Sequence, residues 1–366
     1  MSDKNRNYGI DLLRMISMFM IVVLHILGQG GVMVKIPGME SSFYASWFLE
    51  TCAYCAVDCY GLISGYVGIN GKHRPARLIE LWFQVFFYSA VITFLYLFLF
   101  PGLRNWDAIT RAVFPVSRKA YWYFSSYVGL FFVMPYLNHM VNSMGELAIK
   151  KMAVILFLVF SCGSTVPRAI GSDFLQLSGG YSFVWLCILY LLGASIRKCS
   201  FRRWKKKSYF LAYLGLAAVS WGFKIGIEKV TMHMFGQERY GKTLIEFTSP
   251  TILLCAVCLL LMCENLKFPQ RWLRRLIAAA SPLAFSVYLI HTQPIFWNQT
   301  FKGIFSKYSS LPWPLILIAV PVTALGIYLF CTLIDAVRKK IFDLIKVRSI
   351  SERIAKLVGV VWEKIF

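Results

Sequence analysis

Charge is scarce in this chain. Of its 366 residues only 15% are Asp, Glu, Lys or Arg, while 58% are hydrophobic and the mean hydropathy is +0.61. A water-soluble globule of average composition does not reach those values, so the chain reads as a polytopic membrane protein. No internal repeat of 20 to 50 residues is present, which excludes a solenoid, and no soluble domain is expected beside the apolar runs. The first apolar run lacks a small-residue cleavage site and keeps an Arg, so it is expected to stay as a helix. Ten cysteines make no disulfide scaffold at this length: Cys52, Cys55 and Cys59 recur at helical spacing, and Cys187, Cys255, Cys258, Cys263 and Cys331 lie in or beside apolar runs. Neither CxxC pair has a loop-borne second pair facing it, and no metal site is expected.

What the chain does have is apolar runs of about 20 residues, the length that crosses a hydrocarbon core. Ten are legible, near 8–30, 47–69, 78–100, 121–142, 152–170, 181–196, 208–229, 247–264, 277–297 and 313–335, separated by loops with Pro and Gly. The net charge of +22 would suggest nucleic acid in a soluble protein, but here the basic residues collect in short loops, and no nucleic-acid partner is expected. With the N-terminus inside, 26 basic residues fall on the inner side, Lys4, Arg202 and Arg203 among them, against ten on the outer side. The positive-inside rule then puts both termini in the cytoplasm. The expected organisation is an all-α membrane domain over 1–335 and a basic tail over 336–366. In that tail Ile350, Ile354, Leu357, Val358, Val361, Trp362 and Ile365 recur at helical spacing with Arg353, Lys356 and Lys364 between them, as in a helix lying on the inner membrane surface.

The first run carries Asp11, Arg14 and His25. At about 100° per residue the step from Arg14 to His25 comes back to within roughly 20°, so both share one helix face about 16 Å apart along the axis. An ionised group at the centre of such a helix costs on the order of 2.5–3.5 kcal/mol, which directs this face to a polar interior. The plainer reading gives Arg14 its ion partner in Asp11 and makes His25 a neutral interhelical hydrogen bonder. On the proposed orientation His25 and His291 reach a similar depth in the outer half. Trp122 and Tyr123 open a run from the outside, and Lys224 and Glu228, spaced i, i+4, approach the outer end of another. A shared outward cavity follows from these depths.

On the inner side Lys72, Arg74, Arg77 and Arg14 make a basic mouth suited to phosphate groups, although such residues also serve as topology determinants or contact anionic lipid. Asp58, near mid-membrane, needs a cation such as Arg14 or a proton. Gly61, Ser64, Gly65 and Gly68 beside it let another helix approach closely. His73, His139 and His233 read as ordinary residues.

With those residues in view, the sequence resembles the acyltransferase 3 family of bacterial integral-membrane acyltransferases. Ile10-Asp11-Leu12-Leu13-Arg14 with His25 matches its LDxLR and Arg-x10-His pattern. Val57-Asp58-Cys59-Tyr60-Gly61-Leu62-Ile63-Ser64-Gly65-Tyr66 is similar to its VDxFFxxSGY segment, with Cys59-Tyr60-Gly61 in place of the usual paired aromatics. Arg74 and Arg77, Tyr121-Trp122-Tyr123 leading to Pro135, and Tyr288-Leu289-Ile290-His291 follow in order along nearly the whole chain. The resemblance implies transfer of an acyl group, commonly acetyl, from a cytosolic coenzyme A thioester to a hydroxyl of a sugar or other acceptor in the cell membrane. It implies His25 as general base or acylated nucleophile and Arg14 as donor-positioning or charge-stabilising. Asp11, Asp58, Ser64 and Tyr66 would support them. Lys72, Arg74 and Arg77 would hold acetyl-CoA, and Trp122, Tyr123, Lys224, Glu228 and His291 would meet the acceptor, a surface glycan or lipid-linked sugar. A transporter or flippase is the rival from another class, but paired Gly/Pro-broken segments in two halves are not evident.

Overall fold

The computed structural model describes residues 6–34, 36, 40–200 and 204–365, with side chains described as far as residue 359. Lys4, Arg202 and Arg203 of the basic count, and the side chains of Val361, Trp362, Lys364 and Ile365 of the tail, lie outside the described residues. Every regular element among the described residues is helical. In chain order they are α1 (Tyr8–Leu27), α2 (Ser41–Ala53), α3 (Ala56–Gly68), α4 (Pro75–Leu99), α5 (Trp106–Val113), α6 (Trp122–Asn142), α7 (Glu146–Leu156) and α8 (Gly163–Ala169). There follow α9 (Phe183–Lys198), α10 (Lys206–Phe235), α11 (Pro250–Glu264), α12 (Arg271–Ala280), α13 (Ala284–His291), α14 (Pro294–Phe296), α15 (Trp313–Leu344) and α16 (Val347–Ile365).

Six helical segments among these are long and apolar enough to cross a membrane: α1, α4, α7 with α8, α10, α12 with α13, and α15. The other four expected runs are also helical, as α2 with α3, α6, α9 and α11. The run expected over 47–69 is not one helix, because it breaks at Tyr54 and Cys55. At the break the carbonyl of Cys52 accepts from the Tyr213 hydroxyl of α10 at 2.8 Å. α15 runs on to Leu344, past the boundary expected at 335, and α16 packs on α4, with Val347 and Ser351 buried while Leu357 and Val358 stay exposed.

α1 is the axis of the bundle. Asn7 caps it, its side-chain oxygen accepting from the Gly9 and Ile10 amides at 3.0 and 3.2 Å. Leu13, Val22, Ile26 and Leu27 are fully buried, and α2, α3, α11, α12, α13 and α15 all pack against it. Its two ends are tied to different neighbours. Asn7 donates to the Glu264 carbonyl at the end of α11, while Gly303 and Phe305 donate to the carbonyls of Gln29 and Gly30, joining the segment after α13 to the far end of α1.

α3 and α9 cross at backbone contact. A Cβ on Gly65 would lie 1.8 Å from the Tyr190 carbonyl oxygen, and one on Gly193 would lie 2.0 Å from that of Leu62. Small residues thus permit the close helix approach expected around Gly61 and Gly65. Gly65→Ala must push the two helices apart and should cost about 1–3 kcal/mol. The check is a lowered thermal unfolding midpoint in detergent, with Gly222→Ala, whose added methyl meets open space, as the control that leaves the midpoint in place.

Candidate functional site

Two histidines from opposite ends of the chain meet at the C-terminal end of α1. His25 stands in the last turn of α1 and His291 closes α13, with Nδ1 of His25 2.8 Å from Nε2 of His291. The turn after His291 is fixed by Gln293, which accepts from the amides of Ile295 and Phe296 and donates to Thr93 of α4 at 2.7 Å. Nδ1 of His291 lies 2.5 Å from the Val287 carbonyl oxygen. A carbonyl only accepts, so this Nδ1 carries the proton and the neutral ring's Nε2 is an acceptor. Nδ1 of His25 must then be the donor between the two rings. Its Nε2 is left with a lone pair, with no partner among the described residues and not sealed from open space. His291 is buried, His25 is partly accessible, and the Trp297 indole meets the His25 ring edge-on at 4.7 Å.

Arg14 occupies the other end of the same face. Its Nη1 donates to Asp11 Oδ1 at 2.7 Å, the ion pair that the i, i+3 spacing suggested. The same carboxylate accepts from Arg6 Nε at 2.5 Å and from Ser281 Oγ at 3.2 Å. Two guanidinium groups share one carboxylate, so this end keeps an excess positive charge. Arg77, in the first turn of α4, lies within electrostatic range of Arg14, and Lys72 and Arg74 are exposed on the preceding link. The Arg14 side chain retains 31% of its accessible surface, leaving guanidinium N–H groups open to a ligand. Because Asp11 holds that guanidinium toward the N-terminus of α1, Arg14 and His25 cannot both touch one reacting carbon. Tyr60 lies between the two ends, its hydroxyl donating to the Arg14 carbonyl at 2.9 Å and its ring 6.1 Å from that of Tyr123. Arg14, Tyr60, Tyr123 and His25 each keep part of their surface accessible.

Of the two expectations for Asp58, a cation or a proton, the cation is not what the carboxyl meets. Its partner is not Arg14 but the Trp185 indole N–H of α9, at 3.0 Å to Oδ1, while Oδ2 is buried with no hydrogen bond among the described residues. The physical reason is the break before α3, which puts Asp58 in that helix's first turn, where the dipole favours a carboxylate, while Arg14 already has Asp11 one turn away. Ser64 donates to the Tyr60 carbonyl at 2.9 Å, and Tyr66 accepts from Arg197 at 3.0 Å, so both brace α3. Lys224 and Glu228 form the expected ion pair, buried, with the Lys224 ammonium 3.6 Å from the Trp47 ring centre. They make no contact with the histidine pair among the described residues. Trp122 packs against Tyr181 and Phe247 at 4.7 and 6.5 Å.

The sequence reading missed Trp297, Val287 and Tyr213, whose roles arise from contacts between distant segments. One sequence signal was available for Trp297: it follows His291 by six residues in an aromatic stretch with Phe301, onto which it stacks at 5.3 Å. A family model described as an acyltransferase domain matches residues 7–332, nearly the whole chain. No curated protein and no solved structure matches it. The protonation pattern derived from Val287 has a direct check: nitrogen-15 NMR of histidine-labelled protein should report His25 protonated at Nδ1 and bare at Nε2. In His291→Phe that single tautomer should be lost, and a wild-type spectrum with His25 protonated at Nε2 would contradict the assignment.

Proposed function

The chain belongs to the acyltransferase 3 family, and from that premise we propose that it moves an acyl group, acetyl in the first instance, from a cytosolic coenzyme A thioester to a hydroxyl of a surface or exported glycan. The observation that carries this reading is the open Nε2 of His25, held as a base by a neighbour that fixes its tautomer. In the proposed step His25 Nε2 takes the proton of the acceptor hydroxyl as its oxygen attacks the thioester carbonyl. The tetrahedral intermediate then expels the coenzyme A thiolate, which recovers the proton from the imidazolium, so the enzyme ends as it began. His291 accepts from the His25 Nδ1–H throughout and supports the transient positive charge.

The basic end is the donor entrance in this reading. Arg14 and Arg77, with Lys72 and Arg74 at the mouth, suit the phosphates of acetyl-CoA, while the thioester arm runs along α1 past Tyr60. With its guanidinium turned toward Asp11, Arg14 positions the donor and does not stabilise the oxyanion. Asp11 is a positioning residue for Arg14. All ten helical runs cross the cell membrane in this reading, with the Arg14 end and both termini cytoplasmic, as the excess of basic residues at that end supports. Acceptor groups approach from the other side, past Trp122 and Tyr123.

Purified protein incubated with labelled acetyl-CoA separates the roles. His25→Ala should lower acetyl transfer by about 10²–10⁴ while still binding the donor. Arg14→Ala should act chiefly by raising the KM for acetyl-CoA. Undiminished transfer by His25→Ala would refute the base assignment, and a protein that moves a sugar across vesicles without consuming thioester would be a transporter.

A further inference from the structure

A second polar cavity lies away from the histidine pair, between the ends of α8 and α10 and the 236–249 link, with a volume of about 330 Å³. Its charged lining is Arg168, Glu228, Glu238, Arg239, Lys242 and Glu246, three cations and three carboxylates. Such a wall has no net attraction for phosphate or a polyanion, yet it is dense in fixed donors and acceptors. Arg168 is held at 3.1 Å from Glu246 and 3.6 Å from Asp173. Glu228, 6% exposed, is held at Oε1 by Lys224, whereas its Oε2 is buried with no partner among the described residues. A buried carboxylate oxygen without a donor is costly, and it leaves this wall one hydrogen-bond donor short.

The backbone is cleared around these carboxylates. A Cβ on Gly241 would lie 1.8 Å from Glu228 Oε1, and one on Gly179, whose φ is +62°, would lie 3.2 Å from Glu246 Oε2 and 3.3 Å from Arg168 Nη2. Phe247, which follows Glu246 in the chain, stacks with Trp122 at 19° and contacts Tyr181 at 5.0 Å, an aromatic set joined to the polar wall through Glu246. The aromatic set continues toward the histidines. Trp122 adjoins Tyr123, Tyr123 meets Tyr288, and Tyr288 precedes His291 by one turn.

We propose that this cavity is a carbohydrate subsite that holds one or two units of a neutral sugar by its hydroxyls, with the aromatic set leading a neighbouring unit to His25. The volume falls at the small end of ligand sites, which run from about 300 to 1,000 Å³. Calling the sugar the acceptor rests on the acyl-transfer reading; sugar binding itself is independent of turnover.

The test is saturation-transfer NMR on the full-length protein in nanodiscs. The probes are maltotriose, cellotriose and triacetylchitotriose as neutral sugars, and trigalacturonate and inorganic phosphate as anions. At least one neutral trisaccharide should bind, and Glu246→Gln and Lys242→Ala should each weaken it tenfold or more. Lys242 is exposed and forms no ion pair among the described residues, so Lys242→Ala should keep the wild-type unfolding midpoint. The proposal is overturned if no neutral trisaccharide binds, if an anion binds in preference, or if both variants bind as the wild type does. His25→Ala should bind sugar normally. Sugar binding with no acetyl transfer by the wild type would sustain the cavity assignment and count against the acyl-transfer reading.

Discussion

The carbonyl oxygen of Val287 can only accept a hydrogen bond, and the protonation of two imidazoles follows from it. One proton is fixed on His291 Nδ1, so one lone pair must sit on its Nε2, and one proton must sit on His25 Nδ1 facing it. What remains is a bare nitrogen on a partly accessible ring. The backbone of α13 thereby sets the chemical state of a side chain on α1. The turn at Gln293 and the pairing of the 28–34 and 303–305 segments maintain that distance by fixing the ends of both helices.

α1 also separates two kinds of work along its length. Its N-terminal end gathers Arg6 and Arg14 around a single carboxylate with Arg77 within electrostatic range, and its C-terminal end carries a neutral base. The rise of the helix puts these roughly 16 Å apart, and the Arg14–Asp11 bond lengthens the gap by turning the guanidinium away. A charge-bearing head group and a reactive end can therefore be bound by different residues of one molecule. Burial of α1 against six other helices holds this spacing rigid, since neither end can shift without repacking the whole core.

Much of this was readable from residue order. The eleven-residue step that aligns Arg14 with His25, the i, i+3 pairing of Asp11 with Arg14 and the glycines of α3 are local patterns with fixed geometric consequences, and each has its counterpart in the fold. The interruption between α2 and α3 was not legible in a continuous apolar run, nor was the hydroxyl that Tyr213 of α10 delivers there. The donor to Asp58 was not legible either: of a cation or a proton, Arg14 stays with Asp11, and the indole of Trp185 reaches Asp58 from 127 residues away. His291 was placed by depth alone, and only the packing of α13 on α1 turned similar depth into contact.

A division among the polar groups follows. Arg14 with Asp11, Lys224 with Glu228 and Arg338 with Asp335 are pairs three or four residues apart on their own helices. Each can form as its helix forms, so each enters the apolar bundle with its charge compensated, and the insertion penalty falls without help from the tertiary fold. The His25–His291 bond spans 266 residues and exists only in the assembled bundle. Neutral imidazoles cost less to bury than ions, so that pair is not needed to carry charge into the membrane. A polar contact that stability does not require and that only the complete fold can make is where function is most economically sought. By that criterion the histidine pair, and not the buried ion pairs, is the reacting centre to propose.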